Sequence, residues 1–230
     1  MQQSRRSDNT SSRVAELIEM GRDREAAELA VARSRSIDET RSMTQGGAMD
    51  VLDQFDQLGP LLGEVVGGIR PDQLDNPTPC AKFTVRGILE HMIGGATVFT
   101  AAFRGVEPNQ PDTSDVLVSF GPTLQGLADS VHSAGALERT IQAPFGELPG
   151  TTFARFVVLD GLIHGWDLAT STGQTYQPAD PLVLEVEAFA RDAVEPMRDG
   201  DTFAAAVVPP PSATPIQRLA AFTGRQLEGG

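Results

Sequence analysis

Several residue types are nearly absent from this 230-residue chain, and each scarcity disfavours a class of protein. The single cysteine, Cys80, cannot form a disulfide within the chain, which agrees with a reducing compartment. Lys82 is the one lysine, and all basic residues together number 18 against 31 acidic ones, for a net charge of −13. Because no basic stripe interrupts this negative charge, we expect neither nucleic acid nor an anionic membrane surface as a partner.

Long apolar runs are also missing. No stretch approaches the ~20 apolar residues that span a bilayer, and the first residues, Met-Gln-Gln-Ser-Arg-Arg, lack the apolar segment of a signal peptide. We therefore expect a cytoplasmic protein. The sequence contains no glycine-rich dinucleotide or phosphate motif, no paired cysteines and no nucleophile-elbow motif.

Composition divides the chain into two parts. Residues 1–47 carry as many arginines as acidic residues and only weak helical periodicity, which predicts an N-terminal extension that is a solvated helix or disordered. Residues 48–230 hold the whole net charge and form the expected folded domain. Met43 or Met49 as the true start of the protein is an alternative that the sequence leaves open.

Apolar residues at helical spacing predict an all-α domain. Thr84 is the expected N-cap of the second helix, and a Pro- and Asp-containing loop is expected over 105–121. The segment 143–150 is expected to be a connector that includes a short extended segment, and 207–211 an extended linker. The predicted helices cover 49–69, 84–103, 122–133, 151–172, 179–195 and 215–222.

Histidine is the scarce residue that carries chemistry, since only His91, His132 and His164 are present. Asp160 and His164 are four residues apart in a predicted helix and therefore share one face. His91 lies in another apolar helix and could reach the same point across a bundle. Two imidazoles and a carboxylate leave coordination positions open, as in catalytic zinc sites. The alternative is a hydrogen-bonded Asp–His pair without metal.

Three segments resemble one family. Pro77-Thr-Pro-Cys-Ala-Lys-Phe-Thr-Val-Arg-Gly-Ile-Leu-Glu-His91 is similar to the TPC-x-x-W-T-V-R-x-L-x-x-H opening of the DinB-like, mycothiol-dependent maleylpyruvate isomerase-type proteins of actinobacteria. Asp160-Gly-Leu-Ile-His-Gly-Trp-Asp-Leu-Ala169 resembles the acid-x-x-x-H-x-W-D-L-A block of that family, and 215–225 its closing segment. The resemblance covers about 49–226.

The resemblance implies a DinB-like four-helix bundle with a short C-terminal extension. It also implies a divalent metal, zinc or nickel, held by His91, Asp160 and His164, and mycothiol or a similar small thiol as cosubstrate. The chain departs from the family pattern at Asp160, where the isomerases have Glu, and at Phe83, where they have Trp. Its tail after residue 179 is shorter than the C-terminal domain of the assigned isomerases.

The implied mechanism is metal-assisted deprotonation of the thiol, followed by attack on a small electrophile. Asp167 could hold a ligand histidine through its second N–H, or be a surface acid. Trp166 could stack on a ligand, although core packing is favoured. Arg155 could clamp a carboxylate, although a simple ion pair is favoured. Cys80 lies between Pro79 and Ala81 without a local basic cluster, which favours a buried structural thiol.

Three hypotheses therefore compete. The first is a metal-dependent, thiol-using transferase or isomerase, the second a metal- or ligand-binding stress or regulatory protein without turnover, and the third a structural bundle without metal. Homodimerisation through an apolar helix face is compatible with all three.

Overall fold

Six α-helices and one small hairpin make up the fold over the residues that the structure describes. The computed structural model describes residues 49–143, 146–198 and 203–227, so the predicted extension over 1–47 lies outside the described residues. The helices are α1 (Val51–Gly67), α2 (Val85–Arg104), α3 (Val116–Val131), α4 (Gly150–Thr172), α5 (Asp180–Ala193) and α6 (Pro215–Phe222). Strands β1 (Thr140–Ala143) and β2 (Gly146–Pro149) form the hairpin, and short 3-10 helices occupy Pro71–Gln73 and Glu195–Met197. The prediction of an all-α fold is confirmed.

Helices α1 to α4 form the four-helix bundle, and α4 is its central element. It contacts α1, α2, α5 and α6, and α2 packs along α3. Because neighbours surround α4, its residues are buried almost all the way round, including charged ones such as Asp167. The short C-terminal helices α5 and α6 pack on each other against α4. A polar side chain on the buried helix α4 therefore needs a partner inside the protein.

Two glycines on α4 allow α1 to approach closely. A Cβ at Gly161 would lie 2.8 Å from a methyl group of Leu58, and one at Gly165 would lie 3.0 Å from a methyl group of Leu62 on α1 and 2.5 Å from the hydroxyl oxygen of Tyr176. That hydroxyl is buried and has no hydrogen-bond partner among the described residues. Since Gly161 and Gly165 flank His164 on the helix, the close packing also determines where the histidine lies.

The start of the third helix corrects the sequence interpretation. The helix expected from residue 122 begins at Val116, within the expected loop. The Asp115 carboxylate caps it by accepting hydrogen bonds from the backbone N–H groups of Leu117 and Val118. Pro122, at which the helix was expected to begin, lies inside it. Asp115, within the expected loop, marks the true start.

The expected connector is the β1–β2 hairpin, in antiparallel register from Thr140 opposite Pro149 to Ala143 opposite Gly146. It leads directly into α4, whose first residue, Gly150, donates its N–H to the carbonyl of Arg139. No helix in the part of the chain that the structure describes is both long and apolar enough to cross a membrane.

Candidate metal centre

Helices α2 and α4 bring His91, Asp160 and His164 together. Each residue offers one ligand atom, and these atoms all lie within 4.8 Å of one another. The Nε2 atom of His91 is 3.4 Å from Oδ1 of Asp160, and the Nε2 atom of His164 is 3.5 Å from the same oxygen. His164 is almost fully buried, whereas the side chain of Asp160 is 39% exposed. The cluster is therefore anchored in the bundle and open on one side.

Both distances from Asp160 lie at the long end of the hydrogen-bond range and also suit two ligands of one ion. An N–H···O hydrogen bond between such groups is usually about 2.7–3.2 Å long. Two ligand atoms bound tetrahedrally at about 2.0–2.1 Å from zinc lie about 3.3 Å apart. Both distances from Asp160 to the imidazole nitrogens, 3.4 and 3.5 Å, are close to that value. Neutral imidazole and carboxylate are also suitable donors for a divalent transition metal.

Asp167 fixes the orientation of His164. Its Oδ2 atom lies 3.0 Å from Nδ1 of His164, so Nδ1–H donates and the Nε2 lone pair faces the cluster. The same carboxylate accepts two hydrogen bonds from Arg225, Nη2 to Oδ2 at 3.0 Å and Nε to Oδ1 at 3.3 Å. Asp167 is 0% exposed and Arg225 is nearly as buried. Arg225, Asp167 and His164 are therefore joined in a buried series of hydrogen bonds, and His164 at its end is a candidate metal ligand.

The electrostatics of the site keep its carboxylates charged. Burial alone would raise the pKa of Asp160, but the imidazoles of His164 and His91 outweigh it and hold this pKa well below its usual range. Burial also acts to raise the pKa of Asp167. Hydrogen bonds from His164 and Arg225 outweigh this effect, so the pKa of Asp167 is lowered. The pKa of His91 is raised, because the Asp160 carboxylate outweighs the effect of burial. Asp160 therefore stays ionised beside the two imidazoles.

Phe83 and Cys80 border the cluster on the side of the α1–α2 loop. The Phe83 ring stacks on His91, with ring centroids 5.3 Å apart, and meets His164 edge-on. Burial raises the pKa of the Cys80 thiol, although the nearby charge of Arg225 acts in the opposite direction. The basic neighbour that the local sequence lacked is thus supplied by the C-terminal segment, and burial still outweighs it.

The other residues singled out from the sequence lie as follows. Trp166 is buried in the apolar core. Arg155 is half-buried on α4, five residues before Asp160, and its proposed clamp remains a prediction. His132 is away from the cluster: it ends α3, and its Nε2 lies 3.1 Å from a carboxylate oxygen of Asp56. Sequence reasoning missed Arg225, which was seen only as part of the family-like tail.

An apolar pocket lies beside the cluster, between α1, α2, α3 and α4. It has a volume of about 610 Å³ including its mouth. Its wall includes Phe55, Phe99, Phe120 and Leu127, and Asp160 is the one charged residue among the described residues that line it. The pocket therefore leads from the bundle interior to a candidate metal ligand.

The fold and site define a helical bundle with a two-histidine, one-carboxylate cluster. The family model described as mycothiol maleylpyruvate isomerase N-terminal domain matches residues 55–169, half of the chain. The chain belongs to this family, which confirms the resemblance seen in the sequence. The matched segment contains the cluster and Asp167 but ends before Arg225.

Two uncharacterized proteins from two strains of Mycobacterium tuberculosis are similar to the chain. Each is 34% identical over 183 residues, which is 78% of this chain and 100% of the relative. No solved structure gives a significant match. The relatives therefore support the family and do not name an activity.

Proposed function

We propose that this protein is a metal-dependent enzyme that transfers or isomerises with a low-molecular-weight thiol, acting on a small electrophile. The observation that carries the proposal is the spacing of the three ligand atoms around Asp160, which suits one divalent ion. Family membership supports the thiol, because the family takes its name from a mycothiol-dependent maleylpyruvate isomerase.

In this proposal His91, Asp160 and His164 hold the ion, with zinc or nickel the expected metals. The bound ion would supply a positive charge that favours the deprotonated form of a thiol nearby. Three protein ligands leave at least one position for a substrate, as in catalytic rather than structural sites.

The protein's own groups perform the positioning. Asp167 and Arg225 hold the tautomer of His164 in which Nε2 is free to bind. Phe83 covers the ring of His91 and limits its rotation. The partly exposed Asp160 contributes one negative charge, which lowers the net charge of the occupied site.

The test is thiol consumption by the intact protein with a small electrophile, measured with mycothiol and with cysteine after loading with zinc or nickel. We expect turnover in the wild type and in His132→Ala, since His132 lies outside the cluster. We expect none in His91→Ala or His164→Ala. Stoichiometric metal without thiol consumption for any electrophile would contradict the enzymatic proposal and favour the regulatory binding protein.

A further inference from the structure

The apolar pocket differs in chemistry from the cluster that it adjoins. Residues of all four bundle helices line it, and its wall is mostly apolar with few polar side chains, as in pockets that bind small molecules. Leu58, Met92 and Val157 extend the apolar wall formed by the phenylalanines. Thr123 and Asp160 supply the only polar side chains in this lining as the structure describes it. Such a wall binds a ligand mainly by removing the apolar surface of that ligand from water.

Charge determines which reactant this pocket can accept. A dicarboxylate such as maleylpyruvate would meet no lysine or arginine in the described lining and would lose its hydration against the apolar wall. A thiol carried on sugar rings, such as mycothiol, would lose hydrogen bonds with water that the apolar wall cannot replace. Both ligands are therefore poorly suited to this space.

We propose that the pocket binds the apolar chain or ring of the electrophile, with its reactive carbon directed towards Asp160. This inference rests on the proposed function and names its substrate class, an uncharged electrophile with an apolar tail. An α,β-unsaturated ketone is a representative: the thiol sulfur bonds to the β-carbon, and the thiol proton ends on the α-carbon. This addition needs no oxidant and releases no leaving group.

Two glycines on α1 offer a matched pair of variants. Gly59 lines the pocket, and a Cβ added there would meet nothing within 4 Å. Gly63, one turn further along the helix, is exposed and also has open space around an added Cβ, but it is not part of the lining. Leucine is a better helix former than glycine, so neither Gly59→Leu nor Gly63→Leu should prevent folding.

The experiment measures calorimetric binding of unreactive methyl ketones, from 2-butanone to 2-nonanone, to the intact zinc-loaded protein. We expect affinity to rise about threefold for each added methylene until the pocket is full. Gly59→Leu should lower the affinity for the longest ketones about tenfold, because displacing about two methylenes of the ketone from the pocket costs roughly threefold each. Gly63→Leu should bind like the wild type. With 3-alken-2-ones as substrates, Gly59→Leu should raise the KM for the long members only.

An affinity that does not change with chain length, or an equal loss in Gly59→Leu and Gly63→Leu, would overturn the inference. The zinc content of the same samples tests the proposed function separately. Chain-length-dependent binding without metal would support the ligand class of the pocket while contradicting a metal enzyme. Bound metal with thiol consumption but without chain-length dependence would retain the enzyme and reject the apolar substrate.

Discussion

The Arg225 guanidinium donates two hydrogen bonds, at 3.0 and 3.3 Å, to the Asp167 carboxylate, although the two residues are 58 positions apart in the sequence. Both groups are buried, and the same carboxylate accepts a hydrogen bond from Nδ1 of His164. Burial alone would lower the pKa of Arg225, but Asp167 outweighs it and raises this pKa, so the guanidinium stays charged. The C-terminal segment is thereby tied to the residue that presents Nε2 to the cluster.

Replacing Arg225 should weaken both the fold and the site. Arg225→Gln leaves the Asp167 charge buried without its partner, a change that typically costs about 3–5 kcal/mol. Loss of an outer partner of a ligand histidine typically lowers metal affinity about 10–100-fold. Urea unfolding of metal-free protein would measure the first effect, and competition with a chromophoric chelator the second.

Arg218→Gln is the control, because Arg218 donates to the backbone carbonyl of Ala213 and does not contact Asp167. It should leave metal affinity unchanged. An Arg225→Gln protein that loses stability but keeps its full metal affinity would show that Arg225 supports the fold alone.

Substitutions of Asp160 test whether its carboxylate is a metal ligand. Asp160→Asn removes the charge at nearly constant shape, so metal affinity should fall by more than the roughly 10–100-fold expected for an outer partner. Asp160→Glu should retain the metal, since the partly exposed side chain has room for another methylene and the family pattern has Glu there. Chelator competition gives both values. Equal affinity in Asp160→Asn and the wild type would remove Asp160 from the site.

The stability of a Gly165→Ala variant tests the close packing around Gly165 on α4. In Gly165→Ala the new methyl group would lie 2.5 Å from the buried hydroxyl of Tyr176 and 3.0 Å from Leu62. Such overpacking costs about 1–3 kcal/mol. Gly63→Ala, in open space on α1, should instead stabilise the helix by about 0.5–1 kcal/mol. Thermal unfolding of both variants checks the contrast, and equal effects of the two alanines would show that α1 is not held close at Gly165.

Cys80 should react slowly with alkylating agents. Burial raises the pKa of its thiol, so a smaller fraction is thiolate at neutral pH than in a free cysteine. The pH profile of iodoacetamide alkylation should therefore have its midpoint above that of a cysteine peptide, and Arg225→Gln should move it higher by removing a nearby positive charge. A midpoint below that of the peptide would mean that Arg225 outweighs burial and would favour a nucleophilic thiol.

The sequence predicted the cluster because its signals are local or tied to one family pattern. Asp160 and His164 are one helical turn apart, and His91 is one of only three histidines. Arg225 could not be predicted, because its contact with Asp167 depends on how the C-terminal segment packs against α4. The start of α3 was missed for a different reason, since the prolines and aspartates of 105–121 predicted a loop, although one of these aspartates, Asp115, caps the helix.

The central claim is that His91, Asp160 and His164 form one metal site, and elemental analysis tests it most directly. The protein would be purified without a histidine tag or chelator as wild type, His164→Ala and His132→Ala. We predict about one equivalent of zinc, nickel or another divalent metal in the wild type and in His132→Ala, and its loss in His164→Ala. A wild type that remains free of metal after reloading and desalting would contradict the account and leave the Asp160–His164 pair as a structural contact.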